Sequence, residues 1–211
     1  MRVSVLRIGH RLVRDDRVTT HSALVSRAFG ADRIYMTGID QSVSDTVASV
    51  AKRWGGEFEV KVIEDWKGLA RAWKKEGGKV AHLTMYGINV DDAAGKLRRE
   101  EKVLVIIGAE KVPREAYDIA DYNIAVGNQP HSEIAALAIF LDRMFRGRQL
   151  KKELAGGRLK IIPAERGKQV RESSKSSFLL ASCRLHGSDD TNLRRSQFSE
   201  MTKCTSSETH Y

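Results

Sequence analysis

The sequence predicts an α/β fold: a parallel sheet with helices on both faces. Three observations carry this expectation. Short apolar runs alternate with amphipathic stretches through the first 170 residues, as repeated strand–helix units require. Glycines mark the joins, at Gly30, at the Gly55 and Gly56 pair, and at the Gly77 and Gly78 pair. Hydrophobic residues make up 41% of a 211-residue chain, enough for the core of one sizeable domain.

The elements run in order. Strands are expected over residues 2–8, 33–37, 58–63, 80–86, 103–107 and 122–126. Helices are expected over 20–29, 43–54, 66–75, 90–100 and 132–146. Thr19 or Thr20 is a cap for the first helix, and Gly30 closes it. Leu69, Ala70 and Trp73 share one face of the third. In the last helix Ile134, Leu137, Ala138, Leu141 and Phe145 fall at helical spacing, and Ala135, Ala136, Ile139 and Phe140 widen the stripe. A helix apolar nearly all round is covered on more than one side. It fits beneath a sheet and against a second subunit at once, giving a homodimer, or else the centre of a monomer. The stretch "RLKIIPAERGKQV" is a candidate short hairpin. From residue 171 the character changes: ten serines in 41 residues and no sustained periodicity. Residues 1–170 are therefore read as one domain and 171–211 as a Ser-rich tail, largely disordered, with one weak turn near residues 178–183.

Composition narrows the function classes. Formal net charge is +9, which suits a polyanionic partner such as RNA, although a basic and inert surface is also common. No apolar run reaches the length of a membrane span, and the first residues read as a strand rather than a signal peptide. A cytoplasmic protein is expected. Both cysteines, Cys183 and Cys204, lie in the tail, and the six histidines lack ligand spacing, so no metal site is expected. There is no GxxxxGK[ST], no GxGxxG after the first strand, and no GxSxG. Loops after late strands remain: "LTMYG" at 83–87, "GAEKV" at 108–112 and "VGNQPHSE" at 126–133. Ligands of open α/β sheets bind at the carboxyl ends of strands, and Gly108 and Gly127 leave room for a flat group against backbone.

The segments "VIIGAEKVP" and "IAVGNQPHSEIAALAIFLDRMF" resemble the SPOUT class of RNA methyltransferases. With "GHRLVRDDRVTTH" and "SRAFGADRIYMTGID", residues 1–170 look like the archaeal family within it that methylates the 2′-hydroxyl of a tRNA T-loop cytidine, nucleotide 56. The resemblance implies a C-terminal trefoil knot, a homodimer, tRNA as partner and S-adenosyl-L-methionine as cofactor. It implies cofactor contacts from Leu83, from Gly108, Ala109, Glu110, Lys111 and Val112, and from Val126, Gly127, Asn128, Gln129, Pro130, His131, Ser132 and Glu133. Read without it, Leu83 and Val126 are plain core, and Glu110 and Lys111 a solvated turn. Ribose methyltransferases of this class place an arginine near the reacting hydroxyl. The segment "HRLVRDDRVTTH" offers Arg11, Arg14 and Arg17, and Arg17, expected just before the first helix, is the leading candidate. Arg14 or His21 would assist. A basic loop that grips phosphate without chemistry is the competing reading. At the level of function, a non-catalytic RNA-binding module, or a SPOUT enzyme with another RNA target, stays open.

Overall fold

A computed structural model describes residues 1–9, 16–109 and 111–173, with the side chain of Asp16 excepted. Among these residues the chain forms β1 (Arg2–Ile8), α1 (Asp16–Ala28), β2 (Arg33–Met36), α2 (Gln41–Trp54), β3 (Glu59–Val62), α3 (Trp66–Lys75), β4 (Lys79–Asn89), α4 (Val90–Leu97), β5 (Lys102–Gly108), α5 (Arg114–Ile119), β6 (Tyr122–Ala125) and α6 (Glu133–Phe145). A 3₁₀ turn (Arg148–Lys151) and a hairpin of β7 (Leu159–Ile162) and β8 (Gln169–Glu172) come after α6. β1 to β6 make a sheet in the order β3-β2-β1-β5-β4-β6, every pairing parallel. The expected fold class is the observed one.

Strand alternation distributes the core to both faces. Val3, Val5, Val103, Val105 and Ile107 point into a larger cluster with α1, α2, α4 and α6. Leu6, Ile8, Leu104 and Ile106 point into a smaller one with α3 and α5. Ala70, with Leu69 and Trp73 beside it, seats α3 there as the sequence predicts. α6 buries Ala136, Leu137, Phe140, Leu141 and Met144, while Ala135 and Ile139 stay exposed. No helix among the described residues is long and apolar enough to cross a membrane.

Several boundaries differ from expectation. α1 starts at Asp16, so Thr19 is a buried helix residue rather than a cap, and Arg17 sits in the first turn instead of preceding it. A six-residue α5 after Pro113 is an addition to the expected elements; it is too short to display a helical period. β4 runs to Asn89 because its pairing with β6 slips: Leu83 and Ile88 both face Ile124, and residues 84–87 loop out between them. β8 continues through Glu172, and one compact unit spans 1–173, so the hairpin crosses the expected boundary at 170.

Candidate active site

The carboxyl ends of β4, β5 and β6 open into a cleft of about 530 Å³, within the usual range for small-molecule sites. Three chain segments wall it: the 84–86 loop-out, the turn after β5, and the loop between β6 and α6. Leu83, Gly108, Ala109, Lys111, Val112, Val126, Gln129, Pro130, His131, Ser132 and Glu133 all line it. Among the described residues, Val18 is the one that α1 contributes to the lining.

The third loop is closed by its own side chains. His131 Nε2 lies 2.7 Å from the Val126 carbonyl. Ser132 caps α6 by accepting from the Ile134 amide at 3.2 Å. Asn128 does not line the cleft. Its Nδ2 donates to the carbonyls of Met85 at 2.7 Å and Gly87 at 3.3 Å, tying this loop to the β4 loop-out. Gly127 is also outside the lining. Its φ of 76° explains the glycine, and a Cβ there would meet open space.

Glu133 is fixed from two sides. Arg7, from β1, donates Nε to Glu133 Oε1 at 2.8 Å, with side-chain exposures of 0% and 12%. Ser22 of α1 donates to the same oxygen at 3.3 Å. The carboxylate thus sits in the first turn of α6, where the helix dipole also favours it. An arginine inside the apolar run "RVSVLRI" was the sequence signal for this pair, since a buried charge needs a partner.

A second polar group lies on the opposite sheet face. His82, fully buried in β4, faces its cross-strand partner Asn123, whose Oδ1 is 2.9 Å from His82 Nδ1. Asn123 Nδ2 donates to the Tyr117 carbonyl at 3.1 Å. Oδ1 is therefore the acceptor, and the proton is assigned to His82 Nδ1. Nε2 is then an unprotonated nitrogen, buried without a hydrogen-bond partner among the described residues. Burial lowers the His82 pKa from its ordinary 6.5, and the Asn123 bond only partly opposes this, so the ring is neutral. Tyr117 stacks edge-on to His82 at 4.6 Å, and its hydroxyl lies 3.2 Å from Thr84 Oγ1. His82, Thr84, Met85, Tyr86 and Tyr117 all line the cleft; Thr84, Met85 and Tyr86 fall in the 83–87 loop expected at the site, whereas sequence reading missed His82 and Tyr117.

Of the expected catalytic residues, Arg17 and His21 are exposed one turn apart on α1. Neither lines the cleft, although Val18, next to Arg17, does. Arg14 and the cofactor candidate Glu110 lie outside the described residues.

A family described as tRNA ribose 2′-O-methyltransferase, aTrm56, matches residues 54–171. A tRNA (cytidine(56)-2′-O)-methyltransferase of Cenarchaeum symbiosum (strain A) is 57% identical over 172 residues, covering 82% of this chain and 98% of that protein. The chain belongs to the tRNA ribose 2′-O-methyltransferase family. The family match spans every cleft residue except Val18. Two solved structures share the fold. The SpoU methyltransferase AviRb from Streptomyces viridochromogenes, in complex with the cofactor AdoMet, aligns at TM-score 0.52 and 16% identity over 70% of this chain and 58% of that one. The A. aeolicus TrmH/SpoU tRNA modifying enzyme aligns at TM-score 0.52 and 15% identity over 71% and 76%.

Proposed function

We propose that this protein methylates the ribose 2′-hydroxyl of cytidine 56 in tRNA, with S-adenosyl-L-methionine as donor. The carrying observation is the match to 98% of a protein named for that reaction, together with a family match that spans every described cleft residue except Val18. The cleft fits the cofactor. Its volume suits a nucleoside-sized ligand, Leu83, Ile107, Val112 and Val126 offer apolar walls, and Gly108, Ala109 and residues 129–133 bring loop backbone to its edge. Bound there, the cofactor supplies an electrophilic methyl group on a sulfonium. The protein's own work is to align the 2′-oxygen for in-line attack and to receive its proton. Arg17, on the turn that carries Val18 into the cleft, is assigned to the hydroxyl or its neighbouring phosphate, with Arg14 and His21 as the assisting candidates. An arginine acts there as a fixed planar cation that stabilises the developing oxyanion, and the proton passes to His21 or to water.

The same reading includes a trefoil knot in the C-terminal half, a homodimer and a cytoplasmic location. The bond from Asn128 to the β4 loop-out supports close interweaving of these loops. Exposed apolar side chains on α6, chiefly Ile139, support a covering subunit.

The test is incubation with unmodified tRNA and methyl-labelled cofactor, then nucleoside mapping. The expected result is label in 2′-O-methylcytidine at position 56. Label on a base, or at another ribose, would overturn the assignment.

A further inference from the structure

The positive charge of this chain is concentrated. Residues 1–145 hold 22 basic and 20 acidic residues, close to balance. Residues 146–173 hold nine basic and three acidic, so +6 of the total +9 lies in 28 residues. This segment is the 3₁₀ turn and the β7–β8 hairpin.

The hairpin is a docked platform. Gly56 donates to the Ala155 carbonyl at 2.7 Å, and Arg158 donates to the Lys52 carbonyl at 3.4 Å. The turn before β7 presses on the end of α2 so closely that a Cβ on Gly157 would lie 2.5 Å from the Gly55 nitrogen. Arg27, buried and desolvated, donates to the Gly55 carbonyl and braces the same junction.

On this platform Lys160 and Arg171 are directly opposite across the two strands. Like charges so placed are destabilising unless an anion sits between them. Arg158, two residues before Lys160, shares that face. Lys52 and Arg53 are exposed in the adjoining last turn of α2. The acidic neighbour of Lys160 is Glu153, at 2.8 Å in an exposed pair that holds weakly. The helix dipole favours cations at the end of α2, but it does not account for those on the strands.

We propose that this face of the hairpin, with the end of α2, is a backbone-binding surface for the tRNA; this rests on the tRNA reading above. It lies at the amino-terminal edge of the sheet, whereas the cleft lies at the carboxyl edge. The 14-residue α2 between them is about 21 Å long. A ligand touching both must be extended and polyanionic, as a folded RNA is. The surface grips phosphate and reads no bases, and so adds affinity without choosing the nucleotide.

The test replaces Lys160→Gln and Arg171→Gln together, with Lys160→Arg as a charge-keeping control. Filter binding to unmodified tRNA is measured between about 50 and 200 mM salt. The salt slope of log Kd should fall by about two, one per lost phosphate contact. KM for tRNA should rise several-fold, while kcat and cofactor affinity hold and the control behaves as native. An unchanged slope and KM overturn the proposal. A native protein that binds tRNA but methylates none overturns the function reading instead, and the slope comparison still decides the hairpin's role.

Discussion

Arg7 and His82 are the two buried polar side chains on which the cleft depends. Arg7 holds Glu133 at the cleft wall, so removing the guanidinium strands a mostly buried carboxylate. Arg7→Met should therefore lower unfolding stability by roughly 3–5 kcal/mol, the usual cost of breaking such a pair. Urea melts check this, and a loss below about 1 kcal/mol would show that the pair behaves like a surface bridge. His82 makes stability depend on pH. Its folded pKa lies below the unfolded value, so the unfolded chain binds more protons in the window between them. Its contribution is complete above about pH 6.5 and is lost as pH falls through the window. The native Tm should drop between pH 7 and about 5.5, and His82→Gln should flatten that drop. Equal pH profiles for the two would sink this role. Arg7 was passed over in the sequence, although a charge within an apolar strand was a signal that could have found it. The His82 cluster had no such signal, because its members Thr84, Tyr117 and Asn123 meet only through strand pairing.

At the scale of elements, the alternation of strands and helices was plain because both faces of a parallel sheet demand apolar residues. The three loops were legible as segments for the same reason: each comes after a strand end. Their joining was not. The β4 loop-out exists because Gly87 lies against β6, where a Cβ would stand 2.4 Å from backbone atoms of Asn123. That demand comes from a strand some 36 residues onward, and no local pattern announces it. Gly87→Ala should force the strands apart, costing roughly 1–3 kcal/mol, and weaken cofactor binding as residues 84–86 shift. An unchanged melt with unchanged cofactor affinity would refute the close approach. α1 begins four residues earlier than its apolar periodicity suggests, which moves Arg17 into the helix. The acidic pair Asp15 and Asp16, suited to a first turn, was the overlooked signal.

For the whole molecule, the point where the domain ends and the identity of its substrate can both be tested. β8 pairs through Glu172 with Leu159, and Ser173 donates to the Arg158 carbonyl at 2.8 Å. A chain ended at Ser173 should melt within a few degrees of the full one, because residues 174–211 are Ser-rich and carry no apolar periodicity. A chain ended at Val170 loses half of β8 and should melt lower. Equal melting of both shortened chains would show that the hairpin adds nothing to stability. The central claim is that one ribose hydroxyl in tRNA is the methyl acceptor. Two tRNAs that differ only in cytidine or 2′-deoxycytidine at position 56 test it most directly, with transfer from labelled S-adenosylmethionine as the readout. The account predicts transfer to the first and none to the second, while both bind alike. Equal labelling of the two would contradict it.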